Sequence, residues 1–158
     1  MPRHRMVRRR NTRAVNPVLR FDGRVLWESM IGSTVEWASV NELATDYWRY
    51  QRLSGKEQEV VQSSPWDCVS DWMAEPATGW LNLLTALVET ATDDEVAMVG
   101  VHCVEDLLTY HANDEAIVGE IETWARRNPL ARRAVQGVWL RSELSPGVAA
   151  RLRRLGAH

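Results

Sequence analysis

The 158-residue chain has one phenylalanine, one lysine, two cysteines and no long apolar run. A membrane-spanning helix needs roughly 20 consecutive apolar residues, so no membrane partner is expected. The basic N-terminus is not followed by the apolar stretch of about 7–15 residues that a secretory signal requires, which points to the cytoplasm. Cys68 and Cys103 are too few for a disulfide framework. Both fall in apolar helical stripes and are expected reduced in a core. The glycines are scattered, and neither GxxxxGK[ST] nor GxGxxG occurs, which removes the usual phosphate loops.

What is present is tryptophan and arginine. Eight tryptophans against one phenylalanine suggest a core built on a few bulky anchors with polar edges. With 45% apolar residues, a chain of this length can hide about 70% of its unfolded surface in one core, so one folded domain is the default. The net charge of −2 conceals a division. Residues 1–24 carry eight arginines and one acid, and residues 126–158 repeat that balance. Between them, residues 25–125 carry nineteen acids and three bases. Basic ends can fold against an acidic body and neutralise it, or one can stay free for a polyanion.

Helix punctuation recurs along the chain. Ser64-Pro65, Asn128-Pro129 and Ser145-Pro146 each offer a cap followed by proline at the first helical position. Thr92-Asp93-Asp94-Glu95 reads as a capping box, and Asn113-Asp114-Glu115 opens a helix with acids at its positive end. Between caps the apolar residues step by three and four: Leu43, Tyr47 and Trp48; Leu83, Leu84, Leu87 and Val88; Leu130, Ala134, Val138 and Trp139. Val18–Trp27 is the only strand candidate. Short connections make successive helices antiparallel neighbours. The expected fold is all-α, a stack of antiparallel helical hairpins forming a compact bundle or a short repeat-like array. Residues 1–30 are expected to be a basic, disordered segment, and residues 31–158 a single all-helical domain. For the basic first 24 residues, a solvated tail, an over-extended gene start with Met30 as the true start, docking on the acidic body and a nucleic-acid-binding arm all remain open.

The stretch Gly100 to His111, GVHCVEDLLTYH, concentrates the chemistry-bearing side chains. On a straight α-helix, at about 100° per residue, His102 and His111 point to opposite sides. They cannot then share a metal, and the i, i+4 histidine pair of helical zinc sites is missing. Cys103 lies in the apolar stripe, where burial makes the thiolate scarce. Its eight-residue separation from His111 spans roughly 12 Å of axis, too far for a direct hydrogen bond. His111 is read as ending its helix from the core edge. Glu105 and Asp106 diverge by about 100° and do not converge as an acid–base pair would. No catalytic residue, metal ligand or cofactor is expected.

One further signal is an ordered series. Within Trp66 to Trp139, about half the chain, Gly100, Glu105-Asp106-Leu107-Leu108, His111, Ile121-Glu122, Ala125, Pro129 and Gly137-Val138-Trp139 follow one another in order. This resembles an uncharacterised family of small bacterial helical proteins with a Gly-x-x-x-Glu-Asp-Leu-Leu…His…Gly-Val-Trp pattern. The resemblance implies a helical fold and a bacterial source, and no assigned activity.

The expected function is a non-enzymatic protein-interaction module whose acidic helical surface receives a basic protein, as an immunity protein receives a basic toxin. Asp93, Asp94, Glu95, Glu105, Asp106, Asp114 and Glu115 are the candidate partner-binding residues. Exposure of Trp27, Trp37 or Trp66 would mark a partner surface. The alternative is nucleic-acid association through the arginine-rich ends. A third reading is an enzyme whose groups gather from distant helices.

Overall fold

The computed structural model describes residues 17–29, 32–62 and 64–158. Three short antiparallel strands come first: β1 (Val18–Leu19), β2 (Val25–Glu28) and β3 (Thr34–Trp37), in the order β1-β2-β3. The helices α1 (Val40–Gln51), α2 (Gly55–Val60), α3 (Ser64–Ala74) and α4 (Trp80–Thr90) follow. The next segment is α5 (Val96–Val99), a π-helical turn (Gly100–Val104) and α6 (Glu105–Tyr110), continuous in the chain. The remaining helices are α7 (Glu115–Arg127), α8 (Pro129–Gln136) and α9 (Pro146–Arg153).

The caps behave as their side chains dictate. Asp114 accepts from the amides of Ala116 and Ile117, Asn128 from Leu130 and Ala131, and Ser145 from Val148. Each satisfies amides that the first turn leaves without a helical partner. Ser54, beside a glycine that reads as the end of α1, instead forms a reciprocal capping box with Glu57 and opens α2.

The core runs through α4. Leu83, Leu84 and Leu87 are fully buried between α1, α5 and α8, and each such burial contributes about 1.5–3 kcal/mol. Tryptophan supplies the large surfaces and also the polar ties. The indole N–H of Trp48 donates to the Leu87 carbonyl (2.9 Å), and that of Trp124 to the Thr85 hydroxyl (3.0 Å).

The chain is mostly helical rather than all-α. The small sheet corrects the expectation, and its cause is tertiary. Val25 and Trp27 face inward from β2 while Leu26 and Glu28 face outward, a period-two pattern only four residues long. Such a meander is marginal alone. It is tied down by Trp27, which donates to Asp71 of α3 (2.8 Å), and by Trp37, which donates to Asp46 of α1 (3.1 Å). The boundary expected at residue 30 therefore runs through the β2–β3 hairpin, and residues 17–29 hold β1 and β2. The basic stretch 1–16, expected to be disordered, lies outside the described residues.

Candidate functional site

The segment 96–110 departs from a straight α-helix. The amide of Glu105 bonds the Gly100 carbonyl, an i to i−5 bond that takes one extra residue into the turn. That residue removes about 100° of the half-turn between the two imidazoles. Both rings therefore reach α3, at its opposite ends. His102 meets Trp66 edge-on at 5.4 Å between ring centres, and His111 Nε2 lies 3.0 Å from the Ala74 carbonyl oxygen. The expectation of opposite directions is corrected, and its cause is the π turn. The rings still do not share a cavity, because α3 spans the distance between them.

Around His102 the side chains of Tyr47, Trp66, Met73, Cys103 and Asp106 close a crevice of only about 10 Å³. Burial pushes the Cys103 thiol up to about 12, so its nucleophilic form is scarce at neutral pH. Burial also raises the half-buried Asp106 carboxyl, against the pull of His102 and Arg141. Among the described residues no three His, Cys, Asp or Glu side chains are grouped closely enough to hold a metal ion.

The π turn is set against α8 by a reciprocal pair of glycines. A β-carbon on Gly100 would lie 1.9 Å from the Ala134 carbonyl oxygen, and one on Gly137 would lie 2.6 Å from that of Ala97. Two backbones thus cross at a separation that only glycine permits.

The acids are mostly engaged within the chain. Glu95 takes a two-pronged contact from Arg52 (both 2.8 Å) and accepts from the Thr92 amide, which together hold its carboxyl down at about 2. Asp93 pairs with Arg133 (3.0 Å), Glu115 pairs with Arg151, and Asp114 is the α7 cap. Asp94 stands exposed in the turn before α5. Glu105 accepts from the Trp139 amide (2.8 Å), so it fixes the chain leaving α8. The acids are not gathered into one patch: of those expected to bind a partner, only Glu105 lines an open surface feature.

That feature is a groove of about 120 Å³, floored by Leu108, Ala112 and Leu144 and rimmed by Glu105, Trp139, Arg141 and Glu143. Trp139 is 67% exposed, whereas Trp27 and Trp37 are buried and Trp66 is partly covered. Apolar periodicity predicts Trp139 on the buried stripe of α8. Instead α8 stops at Gln136, and Gly137 is its C-cap. The Gly137 in the sequence was the available signal, since glycine commonly follows the last helical turn. Beyond it, the Trp139 ring leans on His158 at 5.7 Å, and Leu140 and Val138 exchange backbone hydrogen bonds with His158.

Residues 53–157 match DUF6869, described as a family of unknown function. The chain belongs to this family. The matched stretch holds the π turn, the glycine crossing and the groove, while the sheet and α1 precede it. A comparison with curated proteins finds no match. A comparison with solved structures also finds none. Gly100, Glu105, Gly137 and Trp139 of the ordered series noted in the sequence meet here, as crossing, tie and groove rim. No described helix is long and apolar enough to cross a membrane.

Proposed function

We propose that the chain is a non-catalytic protein-interaction module, and that its binding site is the Trp139 groove. The observation that carries this reading is a two-thirds-exposed tryptophan beside an apolar floor with an arginine at the rim. Tryptophan and arginine next to a side-chain-sized hollow are the usual makings of a binding hot spot. About 120 Å³ is well below the roughly 300–1000 Å³ of small-molecule sites, and suits one inserted side chain. The partner is a basic protein segment presenting a large apolar side chain next to a lysine or arginine. Glu105 and Glu143 outnumber Arg141 at the rim, and that excess of acid favours a cation. Of the acids expected to bind a partner, Glu105 fits this site. The raised Cys103 thiol supports the non-catalytic part of the reading.

Panning a displayed peptide library against the full chain tests the proposal. The expected enrichment is an apolar residue adjoining Lys or Arg, with binding weakened at least tenfold by Trp139→Ala. Enriched peptides that lack the basic neighbour, or that bind Trp139→Ala equally well, would contradict it.

A further inference from the structure

A second surface, on the far ends of α7 and α9, carries charge that the fold does not neutralise. Glu122 of α7 is 7% exposed and is the one buried charged residue among those described. Arg151 of α9 reaches it through two nitrogens (2.6 and 3.1 Å) and also contacts Glu115, so this guanidinium has two carboxylates of its own. Arg126, one turn beyond Glu122, touches the other Glu122 oxygen only at 3.6 Å and is 63% exposed. Arg154 is near enough to help lower the Glu122 carboxyl, although neither it nor Arg132 has an ion pair shown among the described residues. Arg132 is exposed on α8, which packs along α7. Gln136, one turn further along the same face, lies against Gly156, two residues past Arg154.

Three arginines thus gather at two glutamates, an excess of one positive charge, and Arg127, Arg132 and Arg153 are exposed on the same three helices. Helix-end neutralisation explains an arginine in each last turn, yet not Arg126 and Arg154 both drawn to a carboxylate that Arg151 already satisfies. Arginine also offers a rigid fork suited to phosphate oxygens. We propose that Arg126, Arg132 and Arg154 form a binding corner for the phosphodiester backbone of a nucleic acid, read without regard to base sequence. Buried Glu122 holds Arg151, and through it α9, so the corner is assembled before any ligand arrives. Neither glutamate of this cluster lines the Trp139 groove, so the two sites can be tested separately.

Fluorescence anisotropy with a labelled mixed-sequence oligonucleotide, duplex and single-stranded in separate arms, tests it on the full chain. Three phosphate contacts predict that duplex affinity falls roughly fortyfold between about 50 and 200 mM salt. The triple variant Arg126→Glu, Arg132→Glu, Arg154→Glu is expected to abolish binding. A triple of equal charge change elsewhere, Arg20→Glu, Arg49→Glu, Lys56→Glu, is expected to keep most of it. Circular dichroism checks that both variants fold. No binding to either strand form at low salt, a slope near zero, or equal loss in both triples would overturn the proposal. Displacement by inorganic phosphate beyond the effect of chloride at matched ionic strength would reassign the corner to a small anion and overturn it as well.

Discussion

The helical segment from Val96 to Tyr110 treats its two faces in opposite ways. Toward α8 and α1 it is locked: Gly100 meets the Ala134 backbone, Cys103 sits near Tyr47, and Leu107 is fully buried. Toward the 137–144 segment it stays open, with Val101 at 41% exposure and Glu105, Leu108 and Thr109 lining a groove. The π turn lies between, letting one stretch of chain serve both packings. A surface on a locked element keeps its shape before a partner arrives, which lowers the ordering cost of binding. The locked face carries stability and the open face carries recognition.

Substitutions on the two faces should therefore separate those properties. The largest effect is expected for Gly100→Ala, because its methyl would overlap the Ala134 carbonyl and neither backbone can move freely. Urea unfolding should show a loss of about 3 kcal/mol or more. Gly55→Ala, with nothing within 4 Å of its would-be β-carbon, should change little. Parity between the two would break the contrast at its root. Next, Leu107→Ala should cost about 2–5 kcal/mol through the cavity it leaves. Trp139→Ala, on the open face, should cost under about 1 kcal/mol while losing peptide binding.

Reaction with a disulfide reagent sharpens the locked side further. Cys68 and Cys103 are both buried, and burial raises both thiols. Labelling at neutral pH should be slow and should track unfolding; rapid labelling of the folded chain would show the face to be loose.

The smallest effect concerns Glu95. Its carboxyl sits at about 2 in the folded chain against an ordinary 4.5, because Arg52 and the Thr92 amide favour the charged form. A group lowered on folding contributes above its unfolded pKa and loses that contribution as pH falls through the folded one. Stability should decline between about pH 4.5 and 2, and Glu95→Gln should flatten part of that decline at a cost of about 0.5–1 kcal/mol at neutral pH. An unchanged acid profile in the variant would remove Glu95 from the account.

Local chemistry made much of this legible in advance. Caps at Asp114, Asn128 and Ser145 are side chains one bond away from the amides they satisfy, so sequence neighbours suffice to place them. The stripe Leu83, Leu84, Leu87 and Val88 likewise reads directly as a buried face. What escaped depends on distant residues. β2 and β3 are four residues each and exist by leaning on α3 and α1 through Trp27 and Trp37. The π turn defeats any wheel drawn at a constant 100°, and its extra residue comes where Gly100 crosses the distant α8. Trp139 leaves the apolar stripe for a plainer reason: Gly137 ends the helix before it. Several acids that looked free on the sequence, Glu95, Glu105 and Glu115 among them, are held by partners at least 34 residues away.

The direct test of an open, preformed groove is a backbone and indole NMR titration with a basic-apolar peptide taken from the library. The account predicts shifts confined to the Trp139 indole and the amides of Leu108, Thr109, Ala112 and Leu144, with Leu107 and Ala134 unmoved. Shifts centred instead on the exposed acids of the 92–95 turn, or spread through the π turn and α8, would contradict it.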